Sequence, residues 1–223
     1  MNRKMMFCLP NYKKQAEFNR LALSANPELE EKYSFLIEFT EYCKHYQIRA
    51  ALACSTLIFL KGIWGEFNDF DMIVHPDDHL KLIGLLSEMG FEQAEVKHDQ
   101  SIYTRVYFGK FLRGNLQVEV VSEWGILAGG GSLYQYKYKE EQIDYVKVSS
   151  ELTVPVMPLE AQFILYRMLS WHQPERKIKA DFISLYFHPE NVGIEHMDVF
   201  RDALTQPLPN MVRAEIKGLI RND

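Results

Sequence analysis

Ala53-Cys-Ser-Thr-Leu-Ile-Phe-Leu-Lys-Gly-Ile-Trp-Gly-Glu-Phe-Asn-Asp-Phe-Asp-Met-Ile-Val-His75 is the stretch on which the reading of this chain turns. Its pattern predicts a strand ending at Ala53, a short helix over 54–61 and a second strand over 69–75. On a strand, Asp69 and Asp71 are two apart and project from one face, while Phe70, Met72 and Val74 take the other face and can pack as core. Two carboxylates held side by side repel each other and favour a shared hard cation such as Mg²⁺, which takes oxygen ligands and phosphates. Upstream, Ser55 and Thr56 lie where strand gives way to helix. Unpaired N–H groups and two hydroxyls there make a seat for phosphate. A third acid would complete a two-metal site, able to orient an incoming hydroxyl and stabilise a departing pyrophosphate. Glu119 is the best candidate, because Gln117, Glu119 and Val121 share one face of a strand over 116–121. Glu123 is a weaker substitute. The expectation is that Asp69, Asp71 and Glu119 converge on one cleft, with the helix start at Ser55 and Thr56 facing it.

Outward from this segment the chain changes period twice. Residues 1–47 read as helical. A helix over 27–46 opens with Asn26 as N-cap and Pro27 at the first position, and buries Leu29, Tyr33, Leu36, Phe39, Cys43 and Tyr46 as a stripe. The middle, 48–152, reads as the core: a helix over 77–89 stopped by Gly90, and strands over 91–96, 102–108, 116–121 and 145–148. Ala128-Gly-Gly-Gly-Ser132 reads as a loop. Its glycines are not followed by the Lys-Ser/Thr of a phosphate-binding P-loop. Residues 153–223 read as a helical subdomain, with helices over 158–169 and 174–187 and two shorter ones near 194–204 and 210–221.

Composition narrows the function classes. The 223 residues carry 25 Lys+Arg against 30 Asp+Glu, a formal net charge of −5. That gives no long-range attraction for nucleic acid or anionic lipid, so an anionic substrate needs a bound cation or a local basic patch. The longest apolar run, 50–60, falls short of the ~20 residues of a membrane-spanning helix. The start has a basic residue pair but no signal-peptide core. Three widely spaced cysteines (Cys8, Cys43, Cys54) fit neither a disulfide framework nor a zinc site and read as reduced thiols of a cytoplasmic protein.

The order of strand, Ser-Thr helix start, Asp-x-Asp strand, helix and later acid resembles the nucleotidyltransferase superfamily with the DNA polymerase β-like fold. The nearest pattern is that of the AbiEii-type group, with the antibiotic nucleotidyltransferases beside it. Their Gly-Gly-Thr-Ala-Leu…Leu-Gly…Asp-Ile-Asp-Leu stretch is similar to Cys54-Ser55-Thr56-Leu57-Ile58…Leu60-Lys61-Gly62…Asp69-Phe70-Asp71-Met72. Pro158-Leu159-Glu160 matches their Pro-Leu-Glu helix start, and Lys177…Asp181 keeps the first and last residues of their Lys-Asp-x-x-Asp motif. The resemblance covers residues 48–187. It departs where Cys54 replaces the first Gly, Ile178 the middle acid, and Glu119 the usual Asp. What it implies is an α/β (α+β) fold, a mixed twisted sheet flanked by helices with a C-terminal helical subdomain. It further implies transfer of a nucleoside monophosphate from a nucleoside triphosphate to a hydroxyl acceptor. Asp69, Asp71 and Glu119 would be catalytic and hold Mg²⁺, and Ser55, Thr56 and Lys61 would bind the nucleotide. The alternative is a catalytically degenerate descendant acting as a nucleotide- or protein-binding regulator or toxin–antitoxin component.

Taken singly, each feature has an ordinary structural reading: a solvated strand face for the Asp pair, a plain N-cap for Ser55 and Thr56, the polar side of a strand for Glu119. Lys110 and Arg113 read as surface cations that can reach phosphates. Lys177 and Lys179 fall on the helix beside the substrate, with Asp181 as a helix-face partner or substrate-recognition acid. Trp64 reads as a stacking ring or a packing lid. His75 is a strand-end polar group or a base, and Trp171-His172 closes a helix.

Overall fold

The computed structural model describes residues 11–100 and 102–222, so the methionine-rich start and Cys8 lie outside the described residues. Helix α1 (Tyr12–Ala25) begins at Asn11, whose side chain accepts the Lys14 N–H. Asn26 and Pro27 start a helical segment as expected, but the first turn is a 3-10 turn, Pro27–Leu29, before α2 (Glu30–His45). Phe35, Leu36, Phe39 and Cys43 of α2 form its buried stripe, while Tyr46 at its end stands exposed.

Strand β1 (Ala50–Ala53) leads directly into helix α3 (Cys54–Leu60), and β2 (Phe70–Val74) returns antiparallel to β1. After a 3-10 turn at Pro76–Asp78 comes α4 (His79–Glu88). The strands β3 (Glu92–Gln100), β4 (Tyr103–Arg113) and β5 (Leu116–Ser122) follow as a meander, β3–β4 and β4–β5 both antiparallel. Two further strands, β6 (Trp124–Leu127) and β7 (Leu133–Tyr136), flank the Gly129–Gly131 turn. The sheet is completed by β8 (Asp144–Lys147) and β9 (Thr153–Val156). Its order is β7-β6-β4-β5-β2-β1-β9-β8, with β3 also on β4. The pairs β2–β5 and β1–β9 are parallel, so the sheet is mixed.

The boundary expected between residues 152 and 153 falls inside this sheet. Strand β9 pairs with β1 on one side, Leu52 opposite Val156, and with β8 on the other. The four helices that follow are α5 (Leu159–Leu169), α6 (Glu175–Tyr186), α7 (Met197–Leu204) and α8 (Asn210–Asn222). Helix α5 is buried along its whole length, a helix of the core and not the first member of a separate bundle. Arg167 on α5 ties the outer helices down, pairing with Asp181 of α6 at 2.6 Å and with Glu215 of α8. At the other end of the chain, α1 lies on the close of α3. Asn19 is buried and its side-chain amide donates to the Phe59 and Trp64 carbonyls at 2.8 and 2.9 Å. Among the described residues no helix is long and apolar enough to cross a membrane.

Candidate functional site

Parallel pairing of β2 with β5 puts Asp71 in register with Glu119, and residues paired across neighbouring strands project from the same face of a sheet. Asp69 sits one residue before β2 and reaches the same place. The three side chains each offer a carboxylate oxygen, and these oxygens lie within 4.8 Å of one another. Hydrogen bonds lock the group. Gln117 Nε2 donates to Asp69 Oδ2 at 3.3 Å and to Glu119 Oε1 at 3.1 Å, and the Ser55 hydroxyl donates to Asp69 Oδ1 at 3.4 Å. Burial, then the charges of Asp69 and Glu119, push the Asp71 carboxyl well above its ordinary range. Glu119 is raised for the same reasons, burial first and Asp69 next, with Lys110 and Arg105 opposing. Three acids this close cannot all ionise cheaply without a cation.

The acids form the floor of a cleft of about 390 Å³. One wall is the loop after α3, with Trp64 and Phe67. A second is β4 and β6, with Tyr103, Phe108 and Trp124, and a third is α5 and α6. From α6, Arg176 and Lys179 reach into the cleft. Arg176 donates from Nε to Gln173 at 3.0 Å and lies over the Tyr166 ring, 5.6 Å from its centroid. The Lys179 ammonium sits 5.4 Å from the Trp64 ring centroid and 6.0 Å from that of Tyr166. Neither cation has a carboxylate partner among the described residues. Burial, followed by the nearby Arg176 charge, holds the Lys179 ammonium below its ordinary pKa.

The turn from β1 into α3 shapes the rim. Cys54 adopts a φ of 48°, in the left-handed region that disfavours a residue with a Cβ. The buried Gln162 of α5 secures it, accepting the Cys54 N–H at 2.8 Å and donating to its sulfur at 3.7 Å. The turn holds this position at a positive φ, where glycine would be the least strained residue.

Of the sequence candidates, Asp69, Asp71, Glu119 and Ser55 line the cleft, as do Trp64 and Lys179. Two nucleotide-binding candidates do not. Thr56 is fully buried and its hydroxyl donates to the Asp69 carbonyl at 3.0 Å, fastening α3 to β2. Lys61 follows the far end of α3, where its ammonium is clamped by Asp144 at 2.9 Å and Glu195 at 2.5 Å. A seven-residue helix separates its ends by ~10 Å, which carries Lys61 away from the helix start at the cleft. Lys177 and Ile178 are exposed, and Asp181 is the helix-face partner of Arg167. Arg113 bonds Glu38 and the Met89 carbonyl, and His75 accepts the Asp77 N–H. His172 contacts the Leu127 carbonyl. Glu160, of the Pro-Leu-Glu match, is buried and accepts the N–H groups of Glu195 and His196 at 2.8 and 3.0 Å, a structural role. Among the cations that line the cleft, sequence reading missed Arg105 of β4 and Arg176 of α6. For Arg176 the signal was present, since Arg176 and Lys179 are three apart and share a helix face.

No protein-family model and no curated protein matches the sequence. Among solved structures, a candidate nucleotidyltransferase from Thermotoga maritima superposes with a TM-score of 0.54 at 16% identity, over 67% of this chain and 91% of that one. The antibiotic-resistance factor ANT(2'')-Ia superposes at 0.47 and 12% identity, over 85% and 90% of the two chains. The lincosamide antibiotic adenylyltransferase LnuA, bound to lincomycin, superposes at 0.44 and 14%, over 69% and 97%. The first of these gives the chain its fold, that of the nucleotidyltransferases.

Proposed function

We propose that the cleft transfers a nucleoside monophosphate from a nucleoside triphosphate to a hydroxyl acceptor, with Mg²⁺ as cofactor. One observation carries this reading: among the described residues, three clustered carboxylates without a bonded cation face two half-buried cations of α6 without a bonded carboxylate, in a single cleft. Each group is short of the charge that a magnesium triphosphate brings. The donor set fits the metal, being all oxygen, closely spaced and crowded enough to be stabilised by a divalent cation. When bound, Mg²⁺ supplies positive charge to phosphate oxygens and to the developing alkoxide. Asp69 and Asp71 hold it, and Glu119 completes the cluster from β5. Ser55, at the start of α3, and Arg176 and Lys179, from α6, take the phosphate oxygens, and the Arg176 fork suits two at once. The rings of Trp64 and Tyr166 beside Lys179 keep water from that charge and strengthen its pull. The reading places the protein in the cytoplasm, where triphosphates are abundant and the buried thiols of Cys43 and Cys54 stay reduced.

The test is calorimetric titration with a non-hydrolysable nucleoside triphosphate, with Mg²⁺ and again with chelator. Binding is expected only with Mg²⁺. No binding at millimolar Mg²⁺ overturns the reading. A second reading, a nucleotide-binding regulator without catalysis, is favoured by Cys54, whose Cβ stands at a positive-φ turn on the rim. It predicts the same binding with no pyrophosphate release from hydrolysable triphosphates across a panel of hydroxyl acceptors.

A further inference from the structure

Asp71 of β2, Asp69 just before it, and Gln117 and Glu119 of the neighbouring parallel strand β5 gather on one face of the sheet, at the corners of a square. Asp71 is paired with Glu119 along one side, and on the opposite side Gln117 is hydrogen-bonded to Asp69. Three corners are acids, and the fourth is an amide. We propose that Gln117 is the positioning residue of the acidic cluster, its two N–H donors holding Asp69 and Glu119 at the spacing and rotation that a divalent cation needs.

Like charges on adjacent strands drive each other apart, and these two acids have rotatable side chains with which to separate. The Gln117 amide counters this by donating to one oxygen of each, Asp69 Oδ2 at 3.3 Å and Glu119 Oε1 at 3.1 Å. Its orientation follows from charge, since the amide oxygen turned toward two carboxylates would be repelled. Each carboxylate oxygen has two lone pairs, so the bonds fix both groups and leave ligating capacity on both. The corner also suits an amide on charge grounds. A lysine would fill the place of the cation, and a fourth acid would spread the other three. Partners of this kind, which orient ligands without touching the metal, are commonly worth about 10- to 100-fold in metal affinity.

This inference rests on the cation-binding reading of the cluster, and the experiment separates the two. Mn²⁺, alone and without nucleotide, is titrated into wild type, Gln117→Ala, Gln117→Leu and Asp71→Asn, with free Mn²⁺ read by electron paramagnetic resonance. Melting temperatures in chelator show that each variant is folded. Wild type should bind, and both Gln117 variants should bind about 10- to 100-fold more weakly. Leu fills the side-chain volume without donors, so retained affinity in Gln117→Leu would assign the residue to packing and overturn the proposal. Unchanged affinity in Gln117→Ala overturns it as well. Failure of wild type to bind Mn²⁺, or equal binding by Asp71→Asn, brings down the cation reading itself and this inference with it.

Discussion

Asp71 and Asp78 are two aspartates in one protein with opposite effects on stability. Asp71 is pushed upward by burial and by its acidic neighbours, from an unfolded value near 3.8. Without metal, its ionisation therefore opposes folding: the penalty is absent below 3.8 and grows until the pH passes the raised folded value. Asp71→Asn should leave the metal-free protein as stable as wild type or more so at neutral pH, in thermal melts with chelator. The same variant should lose most of the stabilisation that Mg²⁺ and a triphosphate give together, a gain of about 2.7 kcal/mol at 100 times the dissociation constant. That corresponds to a rise of several degrees at roughly 2–4 °C per kcal/mol for this size. Asp78 runs the other way. Burial pushes it up, but Arg49, through Nε at 2.7 Å and its own N–H at 3.1 Å, and Lys81 at 3.0 Å outweigh burial and hold it at about 2. Its contribution, on the order of 2 kcal/mol, is complete above 3.8 and is lost as pH falls toward 2. Arg49→Met should shift the acid-unfolding midpoint to higher pH, followed by far-ultraviolet circular dichroism. At this scale the sequence was legible where period two fixed the side-chain direction, as at Asp69, Asp71 and Glu119. It was opaque at Thr56 and Lys61, because a short helix buried on nearly every side does not say which of its side chains turn to the cleft and which fasten it to its neighbours.

Among the elements, α3 packs against β1, β2, α1 and α5, and the residue after its C-cap shows how tightly it is held. Gly62 has a φ of 75°, and a Cβ there would lie 2.3 Å from the Tyr12 carbonyl oxygen and 2.4 Å from the Ala16 nitrogen. Both contacts are backbone atoms of α1, which cannot swing aside as a side chain can. Gly62→Ala should therefore destabilise by at least about 2 kcal/mol, combining left-handed strain with displacement of α1. Urea unfolding measures it, and a loss under half that figure would show that α1 yields. The helices and the longer strands were readable from their apolar periods. Strands β6 and β7 were not read as such, because four residues carry barely two periods of alternation and the glycine run between the two reads as a loop. Strand β9 was legible as extended chain, but its place in the middle of the sheet was not, since Pro155, opposite Tyr145, cannot donate to a ladder. Helix α5 was found, but its complete burial has no amphipathic signature and gave no hint that it belongs to the core.

Across the whole molecule, the cleft depends on parts of the chain far apart in sequence: acids from β2 and β5, cations from α6, and a rim pinned by Gln162 of α5. Residues 1–152 alone should consequently fail as a folding unit. Such a fragment lacks β9 and α5, and in urea it should show no cooperative transition, whereas the full chain should show one. A cooperative melt of the fragment would mean that the N-terminal part holds a core of its own. The position of β9 between β1 and β8 also carries a consequence for birth on the ribosome. Strand β1 is made early, but its second partner comes about a hundred residues later, some 5–20 seconds at ordinary rates of synthesis. Throughout that interval the apolar run Ala50–Ala53 offers an unpaired edge to any neighbouring nascent chain. Slowing translation between β1 and β9 should thus lower the soluble yield of this protein, and co-expressed chaperones that shield strand edges should restore it.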